Sequence, residues 1–107
     1  MMSSTVREVT VEELAAARER GVRVLDVRPP QEYAQGHVPG AVNVPLEELL
    51  AAPASAGPDG VHVVCQSGRR SLEAARALER SGVTAVSVAG GTSAWIESGR
   101  EVEGAKQ

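Results

Sequence analysis

The sequence predicts an α/β fold built on a mostly parallel sheet. Short β-branched runs at residues 22–27, 61–64 and 83–88 alternate with segments of helical spacing. Glycine or proline punctuates most of the boundaries between them. No internal repeat appears, and no linker is long enough to split the chain, so residues 1–107 are read as one domain.

The elements follow in order. Residues 1–5 read as a loose tail and residues 7–9 as a short edge strand. Thr10-Val11-Glu12-Glu13 has the capping-box pattern, with Val9 and Leu14 placed for a hydrophobic staple. The helix it opens should run through Arg20, with Gly21 ending it. Residues 22–27 form a buried strand carrying an acid, Asp26, near its carboxyl end. Pro29-Pro30 stops that strand, and residues 31–35 make one helical turn. Val38-Pro39-Gly40 is a turn, 41–44 a short strand closed by Pro45, and 46–51 a short helix. Residues 53–60 read as a surface loop. The strand at 61–64 delivers Cys65. A helix at 71–80 carries Leu72, Ala75 and Leu78 on one face, and Gly82 closes it. A strand at 83–88 and a tight turn at Gly90-Gly91 follow. Thr92 is the expected cap of a last helix through Ser98, and the rest reads as a polar tail.

Composition narrows the function. With no Phe, one Tyr and one Trp, the core must be built from small aliphatic side chains. The single cysteine rules out an intramolecular disulfide and a cysteine-based zinc site. A free thiol fits a reducing compartment, so a cytoplasmic location is expected. The net charge of −3 argues against nucleic acid as a partner. No apolar run reaches membrane-spanning length, and the first residues lack a signal-peptide pattern. No long heptad pattern points to a helical dimer, so a monomer is expected.

The chemistry concentrates in Cys65-Gln66-Ser67-Gly68-Arg69-Arg70-Ser71. A cysteine at the end of a strand, on a loop feeding a helix, sits where unpaired amides and the helix dipole favour an anion. Gly68 allows backbone angles that a side chain forbids. Arg69 and Arg70 add positive charge. In parallel sheets sites form at the carboxyl ends of strands, where Asp26 and Cys65 can share one rim.

Three blocks in this sequence are similar to the single-domain rhodanese (thiosulfate sulfurtransferase) family. The first is Leu25-Asp26-Val27-Arg28, then Glu32-Tyr33, then Gly36-His37-Val38-Pro39-Gly40-Ala41. The second is Cys65-x-x-Gly68-x-Arg70-Ser71, and the third is Gly90-Gly91 with Trp95 and Gly99. Together they span about residues 7–100. The resemblance implies a three-layer fold, a five-stranded parallel sheet with helices on both faces. It also implies a sulfurtransferase in which Cys65 takes the outer sulfur of a small anionic donor such as thiosulfate and holds it as a persulfide. A thiophilic acceptor then removes it: cyanide, a thiol, or a partner protein. The reaction needs no metal and no organic cofactor. Arg70, Arg69, Gln66, Ser67, Gly68 and Ser71 are the expected substrate-binding residues, with Asp26 and Arg28 in support.

Each assignment has a plainer alternative. Cys65 can be a buried structural cysteine, and the arginines solvated charges. Ser71 reads as the helix N-cap rather than a nucleophile. Gln66 and Ser67 contribute mainly backbone amides. Asp26 and Arg28 read as an ion-pair scaffold, Arg28 with Glu32 and Asp26 with backbone or loop groups, and the family histidine, His37, as structural. Trp95 is a core anchor or a pocket wall. At the level of function, a persulfide carrier and a non-catalytic interaction module stand as alternatives. Phosphatases of related fold use Cys-x5-Arg, whereas here Ser71 holds that sixth position.

Overall fold

The computed structural model describes residues 6–57 and 60–104. Residues 1–5 and 105–107 of the expected tails, and 58–59 of the expected loop, lie outside the described residues. The strands are β1 Arg7–Val9, β2 Val24–Asp26, β3 Val42–Asn43, β4 Val61–Val64 and β5 Ala85–Val88. They form one five-stranded sheet in the order β1-β5-β4-β2-β3, parallel at every pairing. The helices are α1 Val11–Glu19, α2 Pro30–Ala34, α3 Leu46–Ala51, α4 Arg69–Arg80 and α5 Gly91–Glu97.

Local chemistry sets the boundaries. The capping box forms: the Glu13 amide donates to Thr10 Oγ1 at 3.1 Å and the Thr10 amide to Glu13 Oε1 at 2.8 Å. β2 and β5 begin later than the apolar runs suggest, for a shared reason. The Val22 amide donates to the Ala17 carbonyl and the Val83 amide to the Leu78 carbonyl. Each is the long bond of a Schellman turn, made five residues back around a glycine in the left-handed region. Val22 and Val83 therefore finish helices instead of starting strands. Pro30 not only stops β2 but opens α2 at its first position, where a missing N–H costs nothing. The expected loop at 53–60 holds a 3-10 turn at Pro53–Ala56.

Alternation along the strands divides the core. Leu25 and Val27, Val61, Val63 and Cys65, and Ala85 pack with Leu49 of α3 and Ala74, Ala75 and Leu78 of α4. On the other face Val24, Val64, Val9 and Val88 pack with Leu14 of α1 and Trp95 of α5. Among the described residues, no helix is long and apolar enough to cross a membrane.

The strand order places the site. After β2 the chain moves outward to β3; after β4 it moves the opposite way, to β5. Connections that diverge from adjacent parallel strands leave a crevice at their carboxyl ends. Asp26 ends β2, and Cys65 follows β4 at that same edge.

Candidate active site

Cys65 begins a short loop that turns into α4 through Gly68, whose φ of +108° disfavours any side chain and where an added Cβ would stand a tight 3.2 Å from the Gly90 nitrogen. The Gly68 amide donates to Cys65 Sγ at 3.1 Å and the Ser71 amide at 3.3 Å. Ser71 Oγ lies 3.5 Å from the same sulfur. The helix thus starts at Arg69, two residues earlier than its apolar face suggests, and Ser71 is not its N-cap. Gly68 holds that position, and the sulfur accepts the first-turn amide that a capping oxygen would take.

Burial pushes the Cys65 thiol up. Hydrogen bonds from the Ser71 hydroxyl and from the amides of Ser71, Gly68 and Ser67 outweigh it, and the thiol ionises below its ordinary range. The side chain has no exposed surface. This departs from the solvent-open thiol that a reactive cysteine suggests: the sulfur touches the aliphatic core on one side and a ring of donors on the other.

The first turn of α5 fastens the loop from behind. The amide and hydroxyl of Thr92 both donate to the Cys65 carbonyl, at 2.8 and 3.0 Å, and the Ser93 amide donates to the Gln66 carbonyl at 3.0 Å. Thr92 therefore does not cap α5; Gly90 stands at the cap, and loop carbonyls satisfy the helix's free amides.

A family model for the rhodanese-like domain matches residues 10–98. The chain belongs to the rhodanese-like family. It is similar to thiosulfate sulfurtransferase 16 of Arabidopsis thaliana, 41% identical over 74% of this chain and 78% of the relative. It is also similar to thiosulfate sulfurtransferase PspE of Escherichia coli, 46% identical over 63% of this chain and 67% of the relative. The crystal structure of a rhodanese-related protein from Thermoplasma volcanium superposes with a TM-score of 0.83 at 32% identity, covering 92% of this chain and 98% of that one.

Within this rhodanese-like domain the other expected site residues divide. Arg70 reaches the rim, where its guanidinium pairs with Glu32 of α2 at 3.1 Å. That hydrogen bond, with the charges of Glu32, Cys65 and Asp26, holds it firmly cationic against partial burial. Arg70 also lines a cleft of about 140 Å³ with Val27, Pro29, Pro45, Leu46 and Glu47. Arg69 is exposed. Gln66 turns away from the sulfur: its Oε1 accepts from Arg28 at 3.0 Å, and its Nε2 donates to Ser93 Oγ at 2.6 Å. Asp26 is wholly buried and accepts from the Arg28 amide, Nε and NH2 at 2.8–3.1 Å. Arg28 also donates to the Gly36 carbonyl. The pair is a scaffold, but with other partners than expected: Arg28 pairs with Asp26, two residues away, and Glu32 pairs with Arg70 instead of Arg28. His37 stacks on Tyr33 and contacts its carbonyl, while Trp95 packs on the opposite face of the sheet from Cys65. Three residues that sequence reasoning did not place at the site belong to this arrangement: Glu32, Ser93 and Ser87, whose hydroxyl lies 2.7 Å from that of Ser71. Glu32 stood within the first family block, but its pairing with Arg70 spans 38 residues. Ser87 carried no signal beyond being a polar residue in an apolar run.

Proposed function

We propose that this chain is a sulfurtransferase that moves one sulfur atom through a Cys65 persulfide. The Cys65 thiolate attacks the outer sulfur of an anionic donor such as thiosulfate. A new S–S bond forms, the donor's own S–S bond breaks, and sulfite leaves with the electron pair. In the second half-reaction a thiolate or cyanide attacks the terminal sulfur, and the Cys65 thiolate is restored. The observation that carries this reading is the ring of donors on the Cys65 sulfur, which stabilises the anion at both ends of the cycle.

Arg70 supplies the donor's counter-charge. A sulfonate competes with Glu32 for its guanidinium. Support against phosphoryl chemistry lies in the loop, whose arginine comes one position early and whose first amides already close on a single sulfur. Initial rates with thiosulfate and cyanide varied together test the proposal. Parallel double-reciprocal lines, lost in Cys65→Ser, are expected. Intersecting lines, or hydrolysis of an aryl phosphate with no use of thiosulfate, would overturn it.

A further inference from the structure

Behind the sulfur lies a second hydroxyl that the amide ring does not include. Ser87 sits on β5 with its side chain toward α4, as the inward position of Ala85 two residues earlier requires. Its Oγ is 2.7 Å from Ser71 Oγ, which is 3.5 Å from Cys65 Sγ. Cys65, Ser71 and Ser87 are all fully buried. Among the described residues these two contacts are the only hydrogen bonds of either hydroxyl.

Counting protons separates the two states of the cysteine. Three atoms in a row, sulfur and two oxygens, make two links, and each link holds one proton. With Cys65 as a thiol there are three protons for two links, so one polar hydrogen lies buried without an acceptor, at a real cost. With Cys65 as a thiolate there are two protons for two links. Ser87 then donates to Ser71, Ser71 donates to the sulfur, and every proton is used.

We propose that Ser87 is a positioning residue: its hydroxyl donates to Ser71 and so turns the Ser71 proton onto the Cys65 sulfur, favouring the thiolate. Without Ser87 nothing fixes the Ser71 hydroxyl rotor, and its proton is no longer directed onto the sulfur. This inference rests on Cys65 being the reacting thiolate. The charges around the sulfur do not depend on Ser87. Arg70 of α4 is a cation on the same loop, Glu32 of α2 pairs with Arg70, and Asp26 at the end of β2 is paired with Arg28.

The test is the pH titration of thiolate ultraviolet absorbance. Cys65 is the only cysteine, and burial, with the charges of Asp26 and Glu103, raises Tyr33 above its ordinary range, so the phenolate stays out of the window. Ser87→Ala should raise the midpoint by about 0.5 to 1 pH unit, lowering the thiolate-dependent rate by about three- to tenfold at pH values below the parent midpoint, with parent and variant rates converging at high pH. In a Ser71→Ala background the same change should move the midpoint no further. An unmoved midpoint in a folded Ser87→Ala, or equal shifts in both backgrounds, would overturn the proposal. Should Ser87→Ala not fold, Ser87→Thr against Ser87→Val makes the same comparison at matched shape, and equal midpoints in that pair would likewise overturn it. The titration uses no sulfur donor, so a shifted midpoint in a protein that forms no persulfide would refute the sulfur-transfer reading and leave this one standing.

Discussion

Arg70 has two claimants for one guanidinium. At rest it holds Glu32; in the proposed turnover it holds a donor sulfonate. A charge-assisted hydrogen bond contributes about 1.5–3 kcal/mol, so Arg70→Ala should lower kcat/KM for thiosulfate by about 10- to 100-fold. Glu32→Gln should lower KM, since the competing carboxylate is gone. Steady-state kinetics beside the thiolate titration check both. Equal damage to donor use and to thiol ionisation would make Arg70 a loop brace instead. The cysteine loop that turns into α4, with Arg70 on it, was legible in the sequence because loop spacing is local. Glu32 as the partner of Arg70, and Ser87 beneath Ser71, were not. Those pairs join residues 38 and 16 positions apart, and only the strand order brings them together.

At the scale of elements, the start of α5 behaves as a clamp on the Cys65 loop. A Cβ built on Gly91, at φ +58°, would stand 2.5 Å from the Cys65 carbonyl oxygen and 2.7 Å from the Gln66 carbonyl. Those are backbone atoms and cannot swing aside. Gly91→Ala should therefore cost at least about 1–3 kcal/mol in urea unfolding and also displace the loop, reducing sulfur transfer in the folded fraction. Gly82→Ala is the control: φ is similarly positive at +87°, but no atom lies within 4 Å, so it should lose stability and keep activity. Activity retained in a folded Gly91→Ala would show that the clamp is dispensable. Most elements could be placed from the chain alone, including α3 and β4 with their bounds. The misplaced starts share one cause. Val22, Val83, Ser71 and Thr92 each look like the first residue of an element, yet each spends its polar groups on a neighbouring element.

For the molecule as a whole, the sheet carries a pH sensitivity unconnected with sulfur. His62 lies on the central strand β4, and its Nδ1 is buried with no hydrogen-bond partner. Desolvation, with the charges of Arg7 and Arg20, outweighs the Gly60 backbone and lowers its pKa from the ordinary 6.5. The folded protein thus holds His62 neutral where the unfolded chain would protonate it. Stability from this group is complete above about pH 6.5 and declines as pH falls through that value toward the depressed folded one. Urea unfolding across this window should show a decline in the parent that is shallower in His62→Gln; parallel curves would contradict the assignment. The parallel α/β architecture was legible because alternating runs and glycine stops are written locally. The division of the core into two faces was legible only from the strand order.

That order brings one thiol to a crevice ringed by amides, and the central claim is that this thiol carries sulfur. Intact-mass spectrometry after incubation with thiosulfate, or with a protein persulfide donor, tests it most directly. The predicted result is a gain of one sulfur atom, removed by cyanide and absent in Cys65→Ser; a gain from the protein donor alone would mark a carrier using the same chemistry. No gain from either donor, or a gain that survives Cys65→Ser, would contradict it.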